Sequence, residues 1–203
     1  MADYRRCYIP GGSFFFTVVT ERRAAILGDD LTRDLLRAAC RDVRQLWTFR
    51  IDAMVMLRDH VHAIWTLPPD DADYSKRWGA IKKHFTQSWL AAGGAEQARS
   101  PSRERYRRRG VWQRRFWEHT LRDENDYVRH FDYLHFNPVK HGLVDSARDW
   151  PYSSFHSWVE RGIYDPHWGC RGRSTPRVCR PVGHNRGMKP VGYASRTQCM
   201  PPR

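Results

Sequence analysis

Asp59-His60-Val61-His62-Ala63-Ile64-Trp65 reads as a single β-strand, carrying β-branched and aromatic residues between Arg58-Asp59 and Pro68-Pro69. Side chains on a strand repeat with a period of two, so His60 and His62 share one face with Ile64 and Thr66. Val61, Ala63, Trp65 and Leu67 point the other way. Just upstream, Phe49 to Leu57 sets Ile51, Ala53, Val55 and Leu57 against Arg50 and Asp52, and only Arg58-Asp59 separates the two runs. So short a connection joins antiparallel neighbours, and a hairpin is expected. Two imidazoles on one face can hold one metal ion, although a solvated histidine pair on a half-exposed strand fits the same residues.

Outward from this hairpin, Ser13 to Thr20 (SFFFTVVT) follows a Pro10-Gly11-Gly12 turn and reads as a first, central strand. Asp30 is placed to cap a helix in which Leu31, Leu35, Ala38, Val43 and Leu46 recur at helical spacing through Trp47. Downstream, Pro68-Pro69 ends the hairpin and Asp73 opens a helix with Tyr74, Trp78, Ile81, Phe85 and Trp89 as one apolar stripe and Lys82 and Lys83 off it. Ala92 to Gly110 has no periodicity and reads as a mobile basic loop. Its Tyr106 and the nearby Trp112 are placed either to stack on unpaired bases or to pack inward.

Phe116 to Leu121 reads as the fourth strand, followed by Asp123 as N-cap with Asp126 at the third helical position. That helix is expected to end near Asn137, because Pro138 disfavours the αR conformation in the residue before it. The order strand, helix, strand, strand, helix, strand predicts an α+β fold. It is a ferredoxin-like sandwich, a four-stranded antiparallel sheet with helices on one face, plus an extra C-terminal helix after Trp150-Pro151 that packs Phe155 and Trp158 on the body.

The chain has 203 residues, 40% of them hydrophobic, with nine each of Trp, Tyr and Phe, enough for one domain with an appendage. No run of ~18 apolar residues and no N-terminal signal pattern occurs, so a cytoplasmic protein is expected rather than a membrane one. Cysteines at 7, 40, 170, 179 and 199 lack any CxxC pair, which argues against a disulfide framework or a zinc ribbon. The net charge of +13 is concentrated in two segments. Gly93 to Phe116 holds eight Arg and two Glu, while Cys170 to Arg203 holds seven Arg, one Lys and no acid. Concentrated arginine attracts phosphate backbones in a salt-dependent manner. The boundaries read as one domain over 1–169 and a basic Pro- and Arg-rich tail over 170–203, expected to be disordered in isolation.

Positions three or four apart on the last long helix share a face, so Asp126, His130, Tyr133 and Asn137 form a polar strip beside Tyr127, Phe131 and Leu134. The strip puts a phenol one turn from an amide. An amide oxygen can complete a site begun by two neutral imidazoles, and three neutral ligands leave an ion its full charge to polarise a phosphate oxygen. Tyr133 then becomes a candidate nucleophile; without the histidine strand it reads as an ordinary amphipathic-helix residue.

Tyr4-Arg5-Arg6, Pro10-Gly11-Gly12, His60-Val61-His62, Arg115-Phe116-Trp117-Glu118-His119, Asp132 to Gly142 (DYLHFNPVKHG) and Asp149-Trp150-Pro151-Tyr152-Ser153-Ser154 together resemble the REP-associated tyrosine transposases of the single-tyrosine HUH nuclease superfamily. The resemblance spans about residues 4 to 169. It implies His60 and His62 as the metal pair, Tyr133 as nucleophile and Asn137 in the place of a helix-borne third ligand. It implies cleavage of single-stranded DNA beside palindromic hairpins, with a 5′-phosphotyrosine on the enzyme, a free 3′-hydroxyl on the departing strand, and Mg²⁺ or Mn²⁺ as the ion. Hairpin recognition is assigned to Arg5, Arg6, Arg107, Arg108, Arg109, Arg114, Arg115 and Lys140, in a monomer whose Tyr133 acts on its own histidine pair, without membrane or small-molecule cofactor. The rival readings are a water-activating hydrolase, in which Tyr133 is dispensable, and a non-catalytic or domesticated regulator that binds hairpin DNA or RNA.

Overall fold

The computed structural model describes residues 6–170; Arg5 and the tail from residue 171 lie outside the described residues. Four strands, β1 (Ser13–Val19), β2 (Arg50–Met56), β3 (His60–Thr66) and β4 (Trp117–Thr120), form one antiparallel sheet in the order β2-β3-β1-β4. The helices are α1 (Asp30–Leu46), α2 (Tyr74–Ala91), α3 (Pro101–Arg105), α4 (Glu124–Lys140) and α5 (Phe155–Glu160). The β1-α1-β2-β3-α2-β4 succession and this strand order are those of the expected ferredoxin-like sandwich.

Strand alternation sorts the core into two layers. Phe14, Phe16 and Val18 of β1 and Val61, Ala63 and Trp65 of β3 meet α1 and α2, where the Trp65 indole stacks on Trp78 at 4.2 Å. Phe15, Val55 and Ile64 point to the other face and meet Phe131, Leu134 and Val139 of α4 with Phe155 and Trp158 of α5. The sheet face that the ferredoxin-like core leaves open is thus closed by α4. Because His60 and His62 lie on that face, the closure carries the Tyr133 helix onto the histidine strand.

Four local expectations are corrected. The N-cap of α1 is Asp29 rather than Asp30: Asp29 accepts from Thr32 N (2.7 Å) and Thr32 Oγ1 returns a bond to the Asp29 backbone, a reciprocal box that Asp30 cannot make with Arg33. In β2 an extra residue at Asp52 shifts the register between Ile51 and Ala53, so Ile51 packs with the α1/α2 layer while Ala53 and Val55 face α4. Helix α4 runs through Pro138 to Lys140. Pro138 and Val139 are buried, and the last turn is held by His141 N to Asn137 O and Leu143 N to Pro138 O (both 3.0 Å), so packing outweighs the one intrahelical bond that proline removes.

The segment from 92 to 110 is not structureless. Ser100 caps α3, Arg103 pairs with Glu21 and donates to the carbonyls of Arg109 (2.7 Å) and Trp112 (3.2 Å), and Glu96 accepts from Arg109 Nε (2.9 Å) and Gly110 N (2.8 Å). Gly110 is required there because a Cβ would collide with the Gln97 carbonyl. Trp112 is buried edge-on against Phe85 at 5.1 Å, whereas Tyr106 stays exposed with the Arg108 guanidinium 4.9 Å from its ring. No helix among the described residues is long and apolar enough to cross a membrane.

Fully buried His135 ties α4 to the C-terminal segment. Its Nδ1 meets the Phe131 carbonyl (2.9 Å) and the Tyr164 hydroxyl (3.2 Å), and its Nε2 meets Ser154 Oγ (2.9 Å). Burial pushes its pKa down to about 3. The unfolded chain takes up this proton near pH ~6.5 and the folded chain does not. The linked stability is therefore fully present above that pH and is lost as pH falls toward 3. The expected slope is about 1.4 kcal/mol per pH unit for this one group. Urea unfolding at a series of pH values between 7 and 4.5 should show a shallower loss for His135→Gln than for the unsubstituted chain; equal slopes would refute the assignment.

Candidate active site

The strand register sets the site. His62 is paired with Thr17 and His60 with Val19, so the imidazoles emerge side by side with ring centroids 4.8 Å apart. Each ring has one nitrogen occupied. His60 Nδ1 bonds Asp59 Oδ1 (2.5 Å), and Asp59 is held in turn by Arg23 (2.9 Å). Arg23 reaches it from a turn in which Arg22 and Arg23 both take φ of +52°. His62 Nδ1 meets Thr17 Oγ1 at 3.0 Å. Both histidines therefore keep Nε2 for another partner, the arrangement by which outer groups orient metal-ligating imidazoles.

The electrostatics agree. Burial, with the neighbouring His60 adding to it, pushes the His62 pKa down to about 3, against the opposing influence of the Asn137 amide beside it. His62 thus stays neutral with a lone pair available. Desolvation acts to raise the Asp59 carboxyl, but its hydrogen bonds to His60 and Arg23 prevail and hold it below the usual carboxylate range. From above, α4 lowers Tyr133 onto the pair, its ring 5.5 Å from His62 and 6.0 Å from Phe15. Tyr133 is 39% exposed, and the Lys140 ammonium lies 4.7 Å from its ring centre. One turn on, Asn137 is fully buried, its amide lies against His62, and its Oδ1 makes no hydrogen bond of good geometry among the described residues. A buried carbonyl oxygen without a partner is costly. Beside the His60 and His62 imidazoles it is the oxygen donor that a hard divalent cation requires, so the residues present fit such an ion.

Of the basic residues, Arg107, Arg108, Arg109 and Arg114 line one open groove of about 740 Å³ with Lys82, Lys83 and Arg103. It runs between α2 and the arginine-rich segment. Lys82 donates to the carbonyls of Gln113 (2.5 Å) and Arg114 (3.3 Å), and burial pushes its pKa down to about 8, with Arg103 and Arg6 adding to the effect. Arg6 is half-buried, its guanidinium 4.1 Å from the centre of the Phe116 ring and bonded to Ser75. Arg115 is exposed next to β4 and does not line the groove.

The IS200-like transposase family model matches residues 12–134, a span that contains His60, His62 and Tyr133 and stops short of Asn137. A REP-associated tyrosine transposase of Escherichia coli K12 is 44% identical over 169 residues, covering 83% of this chain and 91% of the relative. The chain belongs to the REP-associated tyrosine transposases. A second relative, described as a putative REP-associated tyrosine transposase of Haemophilus influenzae, is 39% identical over 171 residues, covering 83% of this chain and 94% of its own length. A solved structure of a REP-associated tyrosine transposase bound to a REP hairpin superposes with a TM-score of 0.69 at 41% identity, covering 88% of this chain and 99% of the other.

In the transposase four neighbours of the site escape a reading of the motifs alone. Thr17 and Asp59 orient the two histidines. His141, one turn past Asn137, puts its ring 5.4 Å from His60. Phe15 is the hub on which His62, His130, Tyr133 and Trp117 all pack. A helical spacing of four from Asn137 was the available signal for His141; the others depend on pairing across strands.

His119, Asp126 and His130 also bring ligand-type atoms within 4.8 Å of one another. Here buried Asp126 already accepts from His119 Nε2 (2.9 Å), Arg122 N (3.2 Å) and Arg122 Nε (3.1 Å), with Arg129 3.8 Å away. Desolvation acts to raise the Asp126 pKa, but those hydrogen bonds prevail and hold it at about 2. The cluster reads as an anchor for the start of α4, because two arginines already balance the carboxylate that a cation would need.

Proposed function

We propose that this transposase cuts and rejoins single-stranded DNA beside REP-type hairpins through a covalent 5′-phosphotyrosine at Tyr133, with Mg²⁺ or Mn²⁺ held by His60, His62 and Asn137. The observation that carries the reading is the meeting of Tyr133, His62 and the buried Asn137 Oδ1 in one chain. It also favours a monomer in which Tyr133 acts beside its own histidines. The bound ion would polarise a phosphate oxygen. The Tyr133 oxygen forms a bond to phosphorus as the bond from phosphorus to O3′ breaks, and the phenol proton ends on the departing 3′-hydroxyl. Lys140 sets positive charge beside the phenol as negative charge develops there. The linkage keeps its energy for the reverse attack by a 3′-hydroxyl.

The stem of the hairpin is assigned to the groove of Arg107, Arg108, Arg109 and Arg114, and Arg5, Arg6, Arg115 and Lys140 are assigned to binding the same hairpin. Work on chromosomal DNA would put the protein in the cytoplasm on the nucleoid, and the basic tail beyond the folded domain over 1–169 would add non-specific affinity. The test is a labelled single-stranded hairpin incubated with the protein and Mn²⁺ on a denaturing gel. A shifted, protease-sensitive band that a chelator abolishes is expected. Shortened DNA without the band would indicate a water-activating hydrolase, and bound but intact DNA a regulator.

Asp59 gives a finer check. Asp59→Asn removes the charge that orients His60 and the ion pair to Arg23. Mn²⁺ affinity measured by calorimetry should fall by roughly 10- to 100-fold, the usual cost of losing such an outer partner. Hairpin affinity in chelator should not change. Unaltered Mn²⁺ binding would remove His60 from the ligand set.

A further inference from the structure

The edge strand β4 carries an aromatic surface that nothing in the fold requires. Trp117 is 48% exposed, although a large indole normally gains most by burial. Thr17 pairs with His62 on one side and with Trp117 on the other, so the three residues form one row across β3, β1 and β4 and present their side chains to the same face. Two strand spacings put Trp117 about 10 Å from His62, on the edge strand of the sheet face that α4 packs against. The indole is braced: it lies edge-on against Phe15 at 5.8 Å, the hub that also touches Tyr133 and His62. It is also parallel to His119 (5.9 Å, 6°), which is parallel to His130 (4.5 Å, 18°). Asp126 holds both histidines, His119 Nε2 at its carboxylate (2.9 Å) and His130 Nδ1 at its backbone carbonyl (2.8 Å), so the column is fixed before any ligand arrives.

Resting on the reading of Tyr133 as nucleophile, we propose that Trp117 is a stacking platform for an unpaired base of the strand being cut, next to the scissile phosphate, and that it sets which phosphate reaches Tyr133. The argument is chemical. A half-exposed, pre-oriented indole ending a parallel ring column offers one flat face, and the ligand with a matching flat face and negative charge is a nucleotide. Its charge is matched by exposed Arg115, two residues before Trp117 in the chain, and by Lys140 over the Tyr133 ring. A paired base inside a duplex stem has no free face, so the platform takes single-stranded flank and not stem.

The test is a binding cycle in the full chain carrying Tyr133→Phe, so that no turnover intervenes, with hairpins bearing a single-stranded flank in which 2-aminopurine occupies each position in turn. One flank position should be quenched on binding. Trp117→Ala should abolish that quenching and weaken the flanked hairpin roughly 5- to 100-fold. It should leave a hairpin without flank bound as before, and Trp117→Phe should restore most of the loss. An abasic nucleotide at the quenched position should cost as much by itself and nothing more when combined with Trp117→Ala, because both remove one contact. Equal losses on flanked and flankless hairpins, or effects that simply add, would overturn the platform. Absence of any covalent adduct in the unsubstituted protein would instead count against Tyr133 as nucleophile, and the binding cycle would still decide Trp117.

Discussion

Tyr133→Phe is expected to lower covalent adduct formation by on the order of 10⁴-fold or more, the scale on which removal of a nucleophile acts, while leaving hairpin affinity and stability close to those of the unsubstituted chain. The contrast follows from where the residue sits. The Tyr133 ring is partly exposed and packs on Phe15 and His62, and its face lies under Lys140; a phenylalanine keeps every one of those contacts. Only the oxygen is lost, and no hydrogen bond to it occurs among the described residues, so no buried group is left without a partner. Surface changes of this kind usually move stability by less than about 0.5 kcal/mol. Quantifying the protease-sensitive band over time, beside a native-gel affinity and a urea midpoint, separates the effects. If the variant nicks the hairpin at an unchanged rate, a water molecule or another side chain is the nucleophile.

That clean separation was partly visible in the residues. The period of two in His60-Val61-His62 places both imidazoles on one face, and the helical spacing of Tyr133 and Asn137 puts phenol and amide together. Both are short-range regularities, and both are found as expected. The strand and helix order likewise follows from local patterns, and the sheet order from the few ways such a succession closes. Less legible is whatever one strand does to another. That Thr17 stands beside His62 and also beside Trp117 is a matter of register, and the single extra residue at Asp52 shows how one insertion flips the facing of Ile51 relative to Ala53. The same holds for Pro138. Its local cost argues for a helix end at Asn137, and only the burial of Pro138 and Val139 carries α4 onward to Lys140 and so places a cation over Tyr133. The arginine-rich segment lacks periodicity because it is held by Glu21 and Glu96, contacts of opposite charge that leave no repeat in the chain.

The second large effect is expected at His62. His62→Ala should reduce metal-dependent adduct formation by roughly 10³-fold, since Lewis-acid polarisation of a phosphoryl oxygen contributes several kcal/mol and each ~1.4 kcal/mol is a factor of ten. His62 is buried, unlike Tyr133, and its Nδ1 is committed to Thr17, so truncation also leaves a void and a hydroxyl without its partner. A loss of about 1–3 kcal/mol in stability is therefore expected alongside, and activity alone would not separate misfolding from loss of a ligand. Two measurements do. Hairpin affinity in chelator should survive in His62→Ala at temperatures where the chain remains folded, because the basic groove lies between α2 and the arginine-rich segment, on the far side of the sheet from His62. Mn²⁺ binding by calorimetry should weaken steeply, whereas Thr17→Val, which disturbs the same packing but leaves the imidazole in place, should weaken it far less. A His62→Ala chain that is folded, binds hairpin and forms the adduct at full rate in a chelator-sensitive manner would mean that the ion is held elsewhere, and the cluster of His119, Asp126 and His130 would be the place to test next.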